Sequence, residues 1–260
     1  MREQVLRFYE SLAEHYHLIF EDWNEAIERQ ARILNPLLVS EFPGHRLKIL
    51  DCACGIGTQA IGFAIFGHQV VGSDLSQAAV RRAKHEGDLR SLNISFHVSD
   101  MTSLVEIPDS DLDVVVALDN ALPHLTVHQL GKAVEAISSK LKPNGLFMAS
   151  IRDYDKLILE RPTIQEPLFY GGEKERRIVH QVWDWNENTK YVVHLYITKL
   201  SGGEWDILHF VSEYRTLLRN ELTAVLESAG FEEVRWLMPA ESGFYQPIVV
   251  ARWPAEGRIL

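Results

Sequence analysis

Asp51-Cys52-Ala53-Cys54-Gly55-Ile56-Gly57-Thr58 is the stretch on which the reading of the fold turns. The apolar run of residues 47–53 reads as a buried strand, and residues 58–66 read as a helix stopped by Gly67. Between them Gly55 and Gly57 let the backbone turn sharply and approach a ligand closely. A strand, a glycine turn and a helix in that order open a parallel sheet, and such sheets bind ligands where strand carboxyl ends meet the loops.

Outward from this turn the alternation continues. Residues 69–74, 94–100, 112–120 and 146–152 read as further strands. Ser76 is placed to cap a helix over residues 77–87 and Thr126 one over 127–141, and Lys142-Pro143-Asn144-Gly145 reads as a turn. Strands apolar on both faces that alternate with amphipathic helices argue a parallel sheet covered on both sides. Toward the N-terminus, Leu6, Tyr9, Leu12, Ala13 and Tyr16 recur at helical spacing. A second helix over residues 24–40 carries Ile27, Ala31 and Leu34, with Pro36 expected to kink it or end its regular part. After Arg152 the pattern changes. Three runs rich in aromatic and β-branched residues within 168–218, with turns at 186–189 and 201–203, predict an antiparallel meander. A helix over residues 220–229 and two last strands follow. The expected fold is α/β: a doubly wound, mainly parallel Rossmann-like sheet. Its expected parts are an N-terminal helical cap (1–40), a cofactor-binding core (41–152), an antiparallel β insertion serving as substrate lid (153–218), and a C-terminal helix and strands (219–260) that complete the core.

Composition narrows the partners. Apolar residues make up 46% of the 260 and charged residues 24%, ordinary globular usage. No apolar run approaches the roughly 18 residues of a membrane span, and the first 16 residues mix charges without the apolar stretch of a secretory signal. The two cysteines, Cys52 and Cys54, are one residue apart and make a poor disulfide pair, so a reduced, cytoplasmic setting is the default. A net charge of -10 disfavours a broad nucleic-acid or anionic-membrane surface while leaving room for a local basic pocket. The expected partner is a small molecule, and the number of subunits stays open.

Three carboxylates stand at successive strand ends: Asp51, Asp74 (23 positions later) and Asp100. Two readings of the loop compete. Gly55-x-Gly57-x-x-Ala60 fits the dinucleotide fingerprint with alanine at its third position. Against it, a pyrophosphate at the loop would face the uncompensated anion of Asp51, whereas an ammonium would be favoured there. S-adenosylmethionine carries an ammonium, a sulfonium, a ribose and an adenine, and no phosphate. The Cys-x-Cys pair lacks the further ligands of a metal site, and the eleven histidines show no metal-ligand spacing, so no metal is expected.

Asp-x-Ala-Cys-Gly-x-Gly-Thr resembles motif I of the class I S-adenosylmethionine-dependent methyltransferases, and the element order over residues 47–152 resembles theirs. The resemblance implies a Rossmann-like methyltransferase sheet that binds S-adenosylmethionine and releases S-adenosylhomocysteine. It implies that Asp51, Ala53, Gly55 and Gly57 pack the cofactor's amino-acid part and that Asp74, with Leu75, binds the ribose. Asp100 and Met101 would sit by the adenine, and the Leu118 backbone near the methionyl group.

A second group lies at the same end of the sheet. Asn120-x-x-x-His124-Leu125 after the fourth strand and Arg152-x-Tyr154-Asp155 after the fifth resemble glycine N-methyltransferase and the bacterial glycine/sarcosine N-methyltransferases. That resemblance implies methyl transfer to the amine of a small carboxylated acceptor, with Arg152 anchoring the carboxylate and Asn120 reaching the amine. Tyr170, Tyr214 and Tyr245 would surround the transferring methyl, and Tyr9, Tyr16, Trp23 and Arg29 would cover the cofactor. Read by residue type alone, Arg152 can equally form a local salt bridge with Asp153 or Asp155, His124 can cap its loop, and Trp183 and Trp185 can be packing residues. Another nitrogen, oxygen or carbon acceptor, a dinucleotide-dependent oxidoreductase and a non-catalytic cofactor-binding protein remain as alternatives.

Overall fold

The computed structural model describes residues 2–173, 175–186 and 189–255. Two helices come first, α1 (Arg2–Leu12) and α2 (Trp23–Glu41), the latter capped by the Asp22 side chain. The alternating part holds β1 (Lys48–Asp51), α3 (Thr58–Ile65), β2 (Gln69–Asp74), α4 (Gln77–Leu89) and β3 (Ile94–Val98). It continues with β4 (Leu112–Ala117), α5 (Val127–Ser138) and β5 (Leu141–Ser150). Next are a short helix α6 (Tyr154–Glu160) and the strands β6 (Ile164–Tyr170), β7 (Arg177–Asn186), β8 (Lys190–Ser201) and β9 (Glu204–Arg215). The chain closes with α7 (Arg219–Ala229), β10 (Glu232–Leu237), the single turn α8 (Pro239–Ser242) and β11 (Ile248–Arg252).

Among the described residues the strands form a seven-stranded sheet in the order β10-β11-β5-β4-β1-β2-β3 and a four-stranded sheet β6-β7-β8-β9. β1 pairs in parallel with both β2 and β4, and among the described strands of the large sheet only β11 runs against the others, antiparallel to β5 on one side and β10 on the other. The chain winds outward from β1 on one side and then from β4 on the other. The crevice between the carboxyl ends of β1 and β4 is therefore the topological switch point, where such sheets take their ligands.

Both sheet faces are covered. Leu50, Val115, Phe147 and Val249 face one way and pack with Leu130 and Val134 of α5 and Leu222 and Leu226 of α7. Their neighbours Ile49, Val114, Met148 and Val250 face the other way, onto Leu34 and Leu38 of α2 and Ala60 and Phe63 of α3. The two-residue alternation along each strand, with both sets buried, is what a doubly covered parallel sheet requires. Thus α2 packs on the sheet itself, while α1 lies against β9 and α4.

Three local expectations differ from the structure. Pro36 does not end α2, which continues to Glu41. Pro36 and Arg32, whose carbonyl loses its partner, both face solvent, where water can replace the missing bond. Residues 142–145 do not separate β5 from a turn but bulge within it, with Asn144 at φ +62° and a register shift against β4. The insertion has a fourth strand, β6, whose exposed, non-alternating residues carry no strand pattern. Of the turn expected at 186–189, residues 187–188 lie outside the described residues.

Candidate active site

The loop after β1 turns through Gly55 at φ +52° and Gly57 at φ +95°, conformations costly for residues with a Cβ. Its N–H groups are largely occupied from within. Ala53 donates to Asp51 Oδ1 at 3.3 Å, Cys54 to the Ser73 carbonyl at 2.9 Å, Gly55 to Asp74 Oδ2 at 2.9 Å and Gly57 to the Cys54 carbonyl at 2.8 Å. A phosphate-cradling loop needs such donors free. The side chains of Cys52 and Cys54 pack in different core layers, and burial pushes both thiols well up, so neither is a ready metal ligand.

Beside this loop lies a cavity. Ala53, Asp74, Leu75, Asp100, Met101 and Leu118 line it, six of the expected cofactor residues, and Tyr9 and Tyr16 of the N-terminal region cover it. Asp74 accepts from the Ser76 N–H at 2.9 Å as well as from Gly55, which fixes its carboxylate at the end of β2. Each oxygen keeps a second lone-pair site for a ligand hydroxyl.

Two buried carboxylates at the switch point are incompletely satisfied. Asp51 is 1% exposed, and its Oδ2 has no hydrogen-bond partner. Burial raises its pKa to about 8, against partial relief from the Ala53 and Ala60 N–H groups. Asp119, after β4, accepts from Gln59 Nε2 at 3.0 Å through Oδ2 and leaves Oδ1 unpartnered. Burial raises its pKa to about 6, with Gln59 and the Arg152 charge pulling the other way. Asp119 lines both spaces, whereas Asp51, like Gly55 and Gly57, lies behind them and lines neither; a buried acidic oxygen without a donor favours a cation beside it.

Asp119 and Asn120 take the left-handed conformation in succession, at φ +58° and +65°. The Ser150 hydroxyl and carbonyl hold this turn by accepting from the Asp119 and Asn120 N–H groups at 2.8 and 3.1 Å. The turn aims Asp119 and Asn120 into a second chamber of about 560 Å³, which shares Tyr9, Tyr16 and Asp119 with the first cavity. Asn120 Oδ1 accepts from the Arg152 N–H and from the Tyr154 hydroxyl, each at 3.0 Å. Because the Arg152 N–H can only donate, the facing atom must be the amide oxygen. Nδ2 is left buried without a partner. Asn120 thus offers the chamber a donor, whereas an asparagine that receives an amine N–H would offer its oxygen.

Arg152 stands in the same chamber. It donates to the Tyr191 hydroxyl at 2.7 Å and to Gln181 Oε1 at 3.4 Å, with its guanidinium 4.7 Å from the Trp183 ring centroid and 5.2 Å from that of Tyr214. Its neighbours Asp153 and Asp155 are taken by Arg219, at 2.5 and 3.5 Å. Among the described residues no carboxylate pairs with Arg152 within 4 Å. The local salt bridge allowed by the sequence is formed by a different arginine.

Helix α1 closes over both spaces. His124 Nδ1 faces the Glu213 carbonyl at 3.3 Å, so that nitrogen carries the proton, and Nε2 accepts from the Tyr9 hydroxyl at 3.0 Å. Burial holds the His124 pKa down to about 3, so the ring is a neutral acceptor. Glu10 accepts from the Ser76 hydroxyl and the Ala78 N–H, at 3.0 and 3.2 Å, and so ties α1 to the start of α4.

The remaining expected residues are spread more widely. Tyr214 is buried in the chamber wall, and Tyr245 stands at the chamber with 59% exposure. Tyr170 lines neither space and lies under Arg177 at the far end of the insertion. Trp23 is buried behind the glycine loop and donates to Thr58 Oγ1 at 2.9 Å, and Arg29 is exposed on α2. Neither reaches the cavity. Sequence reasoning missed Asp119, Tyr154, Tyr191 and Gln181. Asp119 had a signal, as a fourth carboxylate at a strand end, and Tyr154 stood in the quoted motif after the fifth strand, but Tyr191 and Gln181 depend on pairing in the insertion.

Residues 49–145 match a methyltransferase-domain family model. A ubiquinone biosynthesis O-methyltransferase of Bradyrhizobium diazoefficiens is 32% identical over 124 residues, 47% of this chain and 44% of that protein. The chain therefore spans less than half the length of this curated relative. Glycine N-methyltransferase of Rattus norvegicus is 25% identical over 193 residues, covering 68% of this chain and 64% of the rat enzyme. A crystal structure of an S-adenosylmethionine-dependent methyltransferase from Clostridium acetobutylicum superposes with a TM-score of 0.74 at 14% identity, over 95% of this chain and 98% of the other. The chain has the Rossmann-like methyltransferase fold.

Proposed function

We propose that the protein is an S-adenosylmethionine-dependent methyltransferase whose acceptor is the amine of a small carboxylate-bearing molecule, glycine and sarcosine being the smallest of the class. The observation that carries the acceptor reading is Arg152: a guanidinium in a chamber beside the cofactor cavity, held by neutral groups and aromatic faces, with its adjacent aspartates bound elsewhere. Its planar fork suits a carboxylate. Asn120 Nδ2 adds a second donor to the same chamber.

S-adenosylmethionine, when bound, supplies a methyl group already activated on a sulfonium. What the chain must provide is alignment, which is worth up to roughly 7–11 kcal/mol in favourable cases. Asp74 would hold the ribose hydroxyls, Asp100 and Met101 the adenine end, and the orphaned oxygens of Asp51 and Asp119 the ammonium. Arg152 and Asn120 would fix the acceptor's carboxylate. The amine then faces the junction of the two spaces, where the oxygens of Tyr16, Tyr214 and Asp119 are acceptors for its N–H groups. α1 excludes water. The occupied N–H groups of the glycine loop and the buried Asp51 count against a dinucleotide.

A second reading keeps the cofactor and changes the acceptor atom to oxygen, since Arg152 and Asn120 are both donors and can hold an oxyanion. The experiment is incubation with S-adenosylmethionine and paired acceptors, with and without a carboxylate, read by product mass and the position of the new methyl. N-methylated product from the carboxylated member alone supports the proposal. Equal turnover of both members, or an O-methyl product, counts against it.

A further inference from the structure

The chamber that holds Arg152 is large for glycine. Its volume of about 560 Å³ falls within the roughly 300–1,000 Å³ of pockets that enclose drug-sized ligands. Its polarity is also uneven. Asn120 and Arg152 stand together beside Asp119, which is shared with the cofactor cavity, so the donors sit at the junction. Away from the junction the wall has an apolar side, Phe8 and Leu12 from α1 and Trp183, Val193 and Leu195 from the insertion sheet, all buried, and an exposed polar side with Lys156, Glu160 and Gln165. Leu168, 47% exposed, stands where the chamber meets solvent.

We infer that the acceptor is an amino carboxylate bearing a sizeable apolar body, its carboxylate on Arg152 and Asn120, its amine toward the cofactor cavity, and its body along the apolar wall. The inference rests on the methyltransferase reading and names the substrate class of that same site. An α-amino acid with a long aliphatic or aromatic side chain has this shape: carboxylate and amine share one carbon, and the side chain leaves from it. Glycine would leave the apolar wall wet and gain nothing from it. Each methylene buried there is worth about fourfold in affinity, and a phenyl group correspondingly more.

The test is a side-chain series with saturating S-adenosylmethionine: glycine, sarcosine, alanine, leucine and phenylalanine, with phenethylamine as the member lacking the carboxylate. kcat/KM is read from product mass. The expected order rises with apolar size, with phenylalanine at least about tenfold above glycine and phenethylamine far below phenylalanine. Val193→Phe, which narrows the chamber, should lower kcat/KM for phenylalanine more than for glycine. If glycine or sarcosine is the best acceptor, the apolar wall does not hold substrate and the inference is overturned while the proposed function stands. If S-adenosylmethionine binds and no member of the series is methylated, the proposed function itself fails and takes the inference with it.

Discussion

The Arg152 guanidinium donates to the Tyr191 hydroxyl at 2.7 Å, a neutral partner that orients the arginine without cancelling its charge. The neighbouring aspartates belong to Arg219. This division of labour separates an arginine kept for a ligand from one used for structure, and the two should respond differently to mutation. Arg152→Lys keeps the charge and loses the planar fork, so KM for a carboxylated acceptor should rise about tenfold or more with S-adenosylmethionine affinity nearly unchanged. Arg219→Ala should leave acceptor KM alone and lower stability by about 1 kcal/mol, the upper range for a partly exposed pair. Steady-state kinetics and melting curves on both variants check the assignment.

Asp51 should make both stability and cofactor affinity depend on pH. Its pKa is about 8 in the folded chain against an ordinary 3.8, so between those values the folded state binds the extra proton. Stability of the free protein then falls as pH rises through that window, by at most about 1.4 kcal/mol per pH unit from this group. A cofactor ammonium favours the ionised form, so S-adenosylmethionine affinity should rise as pH goes from 6 to 8. Asp51→Asn should flatten the stability profile and weaken cofactor binding. Thermal unfolding at several pH values, with and without the cofactor, tests both arms, and an unchanged profile in the variant removes Asp51 from the account.

Asp74→Ala removes the acceptor of the Gly55 and Ser76 N–H groups together with the proposed ribose contact. Cofactor affinity should fall by roughly 1.5–3 kcal/mol, the range for hydrogen bonds to a charged group. Calorimetry gives the affinity, and circular dichroism confirms that the sheet is intact. Full affinity in a folded variant would assign Asp74 to the loop alone.

Tyr9→Phe deletes the hydroxyl that donates to His124 and leaves the ring in place. The loss should be about 1 kcal/mol, appearing as faster amide exchange in α1 and a several-fold weaker cofactor. A pH titration from 5 to 8 should show no change in this contact, because His124, with a pKa near 3, stays neutral throughout. Exchange in α1 that matches wild type would place the closure on Glu10 and apolar packing.

Much of this was legible in the sequence where local pattern and chemistry coincide. The glycine turn, the strand-end carboxylates Asp74 and Asp100, and the caps at Ser76 and Thr126 each follow from residues a few positions apart. What escaped depends on distant pairing. Tyr191 meets Arg152 only because β8 lies in the insertion sheet opposite β5's end, a separation of 39 positions. Tyr170 looked equivalent to Tyr214 by residue type, yet the two occupy opposite ends of that sheet, and Tyr214 alone of the two reaches the chamber. Asn120 lines the chamber as its place after the fourth strand suggests, but which end of its amide faces that space follows from the Arg152 N–H.

In the proposed function the cavity lined by Asp74, Asp100 and Leu118 takes S-adenosylmethionine. Calorimetric titration of the protein with S-adenosylmethionine and, separately, with NAD at pH 8 tests it most directly. The expected result is saturable binding of S-adenosylmethionine, weakened in Asp51→Asn and Asp74→Ala, and no heat from NAD. Saturable binding of NAD with none of S-adenosylmethionine would contradict it.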